Sequence, residues 1–199
     1  MIKKPSEPPS APPAPRSVSV TKDPAYWQAL GEFIEAFAGA ETMLFNYLVA
    51  CAGMSHKAGR AIIGGSHQEQ LIGMIRRLWA TNPPDADIME KAKPALDQFS
   101  SINTVRNSLV HYSSFVTSDK GRVSSSITRA HPGEAKFHEY RISDTILNDM
   151  TADLGKISHH FTYCLVTTIE YRRFITKAAR DDLANGLPAL NAAWRYKHS

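Results

Sequence analysis

The sequence predicts an all-α fold: an up-and-down helical bundle with a β-hairpin-like insertion after the helix that ends near residue 113. Three observations predict it. Apolar residues recur at helical spacing through three long segments, 24–51, 85–113 and 143–174. Hard breaks at Gly64-Gly65 and Asn82-Pro83-Pro84 separate shorter helical runs. One stretch, 114–142, changes to Ser, Thr, Val and Ile around Asp119-Lys120-Gly121, the pattern of a hairpin.

Residues 1–22 read as a disordered, Pro-rich tail, because Pro5–Pro15 contains no core-forming side chain. The remainder, 23–199, reads as one helical domain. Asp23-Pro24 supplies an N-cap and a proline at the first helical position. The first helix then runs to about Cys51, with Tyr26, Leu30, Phe33, Ile34, Phe37, Ala40, Leu44, Tyr47, Leu48 and Cys51 on its buried face. Gly53 and Ser55 separate it from a short helix ending near Ile63. Ser66-His67-Gln68-Glu69 has capping-box form and opens a third helix to about Ala80. The fourth helix contains Pro94, where a kink or restart is expected. His131-Pro132-Gly133 breaks the insertion, and 136–142 offers a further short strand. Ser143 or Asp144 caps the last long helix, with a core face of Ile146, Met150, Leu154, Ile157, Phe161, Cys164, Leu165 and Ile169. After Asn185-Gly186-Leu187-Pro188 a short segment carries Leu190 and Trp194.

The hydrophobic fraction of 43% and charged fraction of 21% suit a globular protein with a real core. A net charge of +4 permits a nucleic-acid partner without requiring one. No apolar run reaches membrane-spanning length, and no signal-peptide core follows Lys3-Lys4, so the expectation is a cytoplasmic protein with no membrane partner. Cys51 and Cys164 have no CxxC spacing and read as buried free thiols. His160 and Cys164 are four residues apart, a legal pair of zinc ligands, but no cluster supplies two more. No metal and no cofactor is therefore expected. There is neither a P-loop nor a Gly-x-Ser-x-Gly elbow.

The chemistry lies in Arg106-Asn107-Ser108-Leu109-Val110-His111. At about 100° per residue, Ala92, Ala95, Leu96, Phe99, Ile102, Leu109 and Val110 form one apolar stripe, and Arg106 falls in its middle. Arginine is almost never fully buried unless it is paired. Asn107 and His111 lie side by side on the helix flank. Packing alone would read Arg106 as snorkelling out of the core and His111 as favoured by a helix C-terminus. A fixed cation beside an imidazole and an amide can also handle a phosphate. Glu41 passes the same angular test on the first helix, within the stripe of Leu30, Phe37, Leu44 and Leu48. Pairing Glu41 with Arg106 would compensate both charges.

An Arg, a polar residue directly after it and a His four to six residues past the Arg, late in a long helix, resembles the HEPN superfamily of small helical bundles. Arg106, Asn107 and His111 match that pattern. Glu41 matches an acidic residue of the family's first long helix that supports the motif arginine. The resemblance implies a metal-independent endoribonuclease, commonly a toxin or phage-defence effector. Its partners would be single-stranded RNA, a second copy of the chain in a homodimer, and an antitoxin or defence-system protein. His111 would move protons, since imidazoles titrate near neutral pH. Arg106 would stabilise charge on the phosphoryl oxygens, Asn107 would position His111 or the phosphate, and Glu41 would orient Arg106. The alternative is a non-catalytic HEPN-like module that binds a nucleotide, RNA or protein. Absence of an Arg106–Glu41 contact would favour a bundle outside the family. Lys57, Arg60, Arg76, Arg77, Arg129, Arg141, Arg172 and Arg173 could form a phosphate-tracking surface if they converge near His111, and Tyr112 could stack on a base.

Overall fold

The computed structural model describes residues 23–111, 114–117, 121–125, 139–167 and 193–197. The Pro-rich tail, Tyr112, the turn at 118–120, Arg129, Arg172, Arg173 and the expected end of the last helix near Phe174 lie outside the described residues. Among those that are described, five helices form a bundle and three short strands form an antiparallel sheet beside it.

Helix α1 (Pro24–Cys51) begins as its sequence dictates. The Asp23 carboxylate accepts from the Tyr26 amide at 3.2 Å, and Pro24 occupies the first turn, where a missing N–H costs nothing. α2 (His56–Ile63) starts at Ser55, whose hydroxyl accepts from Ala58 N. α3 (Gln68–Thr81) starts one residue later than the Ser66 box suggests. His67 is the N-cap, and its backbone N–H donates to Gln70 Oε1 at 2.9 Å. α4 (Ala86–His111) runs through Pro94 without a break. Pro94 lies on the exposed side, as does Glu90 four residues before it, so the carbonyl left unpaired can meet water. α5 (Asp144–Thr167) is capped by Ser143, whose hydroxyl accepts from Ile146 N.

α1 runs through the bundle and packs on α3 and α5. Phe37 of α1 stacks on Phe99 of α4 at 5.0 Å. Tyr47 meets Phe161 of α5 at 5.3 Å and accepts a hydrogen bond from the Trp79 indole at 3.1 Å. Burial pushes the Tyr47 phenol far above its ordinary range and raises the neighbouring Cys51 thiol, so both stay neutral. Neither cysteine is in a disulfide; Cys164 is buried as expected, whereas Cys51 is only half-buried. Most of the expected α1 face is buried, but Ile34 is 40% exposed and Leu30 only half-buried. On α4 the stripe ends early. Val110 is 50% exposed, whereas Val105, outside the stripe, is fully buried. Period counting on one helix assumes one covered side, and α4 packs against α3, α5 and the sheet.

The insertion forms β1 (Ser114–Thr117) and β2 (Gly121–Ser125), paired Phe115 with Val123. β3 (Glu139–Arg141) adds to β2, with Tyr140 opposite Ser124. The Ser124 hydroxyl donates to the Ser108 carbonyl at 3.1 Å, which ties the sheet to the last turns of α4. Arg122 reaches the start of α1 and lies 4.0 Å from the centre of the Tyr26 ring and 5.7 Å from that of Trp27. No helix among the described residues is long and apolar enough to cross a membrane.

Candidate functional site

The last two turns of α4 carry Arg106, Asn107 and His111, and the first two are in contact. The Arg106 guanidinium lies over the Phe37 ring, 5.3 Å from its centre. One terminal nitrogen donates to Asn107 Oδ1 at 3.2 Å. Its Nε is buried without a hydrogen-bond partner. The side chain is thus held by an aromatic face and a neighbouring amide. A buried, unsatisfied donor on a cation is costly, which makes this an unusual place for a purely packing residue. Asn107 is half-buried, and its oxygen is committed to Arg106. His111 is exposed on the last turn.

Glu41 does not join them. Its carboxylate accepts from Gln68 Nε2 at 2.8 Å, and among the described residues no ion pair links it to Arg106. This corrects the expected pairing. Glu41 is only half-buried, so water and one amide can satisfy it, and Arg106 is accommodated by Phe37 instead. The angular test found two polar groups facing inward but could not show that they meet. By the criterion set above, the missing contact weighs against the family resemblance.

Arg76 and Arg77 do not gather at His111 either. Arg76 pairs with Asp97 at 2.9 Å, both exposed. Asp97 lies fourteen residues before His111 on α4, about 21 Å along the helix axis. Arg77 sits near Leu48 and Met54, at the far end of α1. Among the described residues no group of three or more His, Cys, Asp or Glu converges as a metal site would require.

A second polar centre was not anticipated. Asp153 on α5 is fully buried. It accepts from Arg195 N at 3.0 Å, Tyr196 N at 2.8 Å and Gln98 Nε2 at 3.0 Å, with Lys156 Nζ at 3.7 Å. Gln98 Nε2 also donates to the Tyr196 carbonyl, and Lys156 to that of Ala193. Residues 193–197 are thereby strapped across α4 and α5, with the Trp194 ring 6.0 Å from that of His160. The signal was available in sequence. At 100° per residue Asp153 falls between His160 and Cys164, on the edge of the apolar stripe of α5.

No family model, curated protein or solved structure matches the chain.

Proposed function

We infer that the chain is a metal-independent endoribonuclease of HEPN type acting on single-stranded RNA. The observation that carries this reading is the presence, on the last two turns of α4, of a guanidinium with no carboxylate partner among the described residues and of an exposed imidazole. The missing Glu41 contact weighs against the resemblance, so the reading rests on Arg106, Asn107 and His111 alone. In the reaction the substrate 2′-hydroxyl attacks the adjacent phosphorus, and the bond to the 5′-oxygen of the next nucleotide breaks. The products are a 2′,3′-cyclic phosphate and a 5′-hydroxyl. Arg106 stabilises the phosphoryl oxygens, Asn107 holds Arg106, and His111 transfers a proton. Glu41 is left out of the catalytic set. A role as a toxin or defence effector, with an antitoxin as partner, follows from the resemblance alone.

The test is direct. Purified protein is expected to cut single-stranded RNA in the presence of EDTA and leave cyclic phosphate ends. No EDTA-resistant cleavage of any RNA would turn the reading to the non-catalytic binding module.

In-line cleavage needs one group to take a proton and one to give it, and each chain has a single motif histidine. A two-fold homodimer with the ends of α4 near its axis supplies the second. Val110, half-exposed beside His111, gives such an interface an apolar contact. Light scattering at micromolar concentration is expected to return the mass of a dimer. A monomer would leave the two-histidine mechanism without its second group.

A further inference from the structure

The strap at 193–197 makes one wall of a cleft of about 480 Å³, inside the roughly 300–1,000 Å³ range of small-molecule sites. The other walls are β3 and the first turns of α5. Arg141 comes from β3, and Arg195 and Lys197 from the strap. All three are exposed, and among the described residues none is in an ion pair. Among the described residues Asp149 is the one carboxylate in the lining. Ile142 and Ile146 supply apolar surface, and Tyr140 and Tyr196 supply two phenols. Burial raises both phenols above their ordinary range, and the neighbouring Tyr140 raises Tyr196 further, so both stay neutral.

We propose that this cleft binds a small phosphate monoester with a hydroxylated body, a sugar phosphate or a mononucleotide. Two arginines and a lysine from two separated segments converge there, and among the described residues none has an ion-pair partner. Arginine forks match phosphate oxygens in pairs, and neutral phenols beside them do not repel the anion. Asp149, half-buried in the lining, can accept from a hydroxyl of the ligand's body, which a bare anion would not supply. The cleft keeps its shape because Asp153 and Gln98 fix the backbone of Arg195 and Tyr196 from beneath. The proposal makes no use of Arg106 or His111, so it stands or falls independently of the ribonuclease reading.

Calorimetry on the full chain at about 0.15 M salt, where nonspecific attraction is screened, tests the proposal. The probes are ribose 5-phosphate, adenosine 5′-monophosphate, inorganic phosphate and adenosine. Both esters are expected to bind one per chain, inorganic phosphate more weakly, and adenosine not at all. Arg141→Ala and Arg195→Ala are each expected to weaken the esters about tenfold, the scale of one lost charged hydrogen bond. Both side chains are exposed, so an unchanged melting temperature serves as the folding control. Asp149→Asn is expected to weaken the esters and leave inorganic phosphate unaffected. Tighter binding of the nucleotide than of ribose 5-phosphate assigns the site to nucleotides, and equal binding assigns it to sugar phosphates. No heat from either ester overturns the proposal. So does equal affinity in wild type and the Arg141→Ala/Arg195→Ala double variant, or an RNA that needs these arginines while neither ester binds.

Discussion

His111→Ala is expected to lower RNA cleavage by ~10²–10⁴-fold, the range for losing a positioned proton-transfer group. The fold should not change, because His111 is exposed on the last turn of α4, where substitutions usually shift stability by less than about 0.5 kcal/mol. That separation of activity from stability makes the variant decisive. Arg106→Ala is less clean, since it removes the guanidinium that packs on Phe37 as well as the charge. Gel-resolved cleavage alongside a thermal melt checks both halves of the prediction. Equal cleavage by wild type and variant would show that His111 is a surface residue and that any nuclease activity resides elsewhere.

The helices were legible in the sequence because their signals are local. Asp23-Pro24 and Ser55 are caps that act within one turn, and the Phe33, Phe37, Ala40 and Leu44 spacing reports one buried face. The hairpin was legible for the same reason, as alternation around a turn. What failed was pairing between elements. Glu41 and Arg106 each face inward from a long helix, yet α1 offers Arg106 the Phe37 ring and α3 offers Glu41 the Gln68 amide. Angular position fixes a direction and leaves the partner open. Asp153 shows the opposite error. It sits at the edge of an apolar stripe and called for a partner, but two of its four partners are backbone amides more than forty residues away, which carry no residue-type signal. The cleft beside it was illegible for that reason: Arg141 and Arg195 become neighbours only when the strap docks.

Asp153→Ala is expected to cost about 3–5 kcal/mol, the range for stranding the partners of a buried charge. Four donors converge on this carboxylate: two consecutive backbone amides, Gln98 Nε2 and Lys156 Nζ. Asp153→Asn should be nearly as harmful despite its shape. A carboxylate is acceptor-only, whereas an amide turns one NH₂ toward a site that contains only donors. The loss has a ceiling, because once residues 193–197 detach their amides can bond water. The coupling can therefore be measured. In a chain truncated before Ala193, Asp153→Ala should cost far less than in the full chain, since the carboxylate then holds no backbone. The difference in this double-mutant cycle, read from urea midpoints, is expected at about 2–3 kcal/mol. Asp153→Ala should also release Trp194 from the His160 ring and abolish phosphate-ester binding in the cleft, because Arg195 and Lys197 leave with the strap. Equal costs in the full and truncated chains would mean that Asp153 stabilises α5 itself and that the strap docks without it.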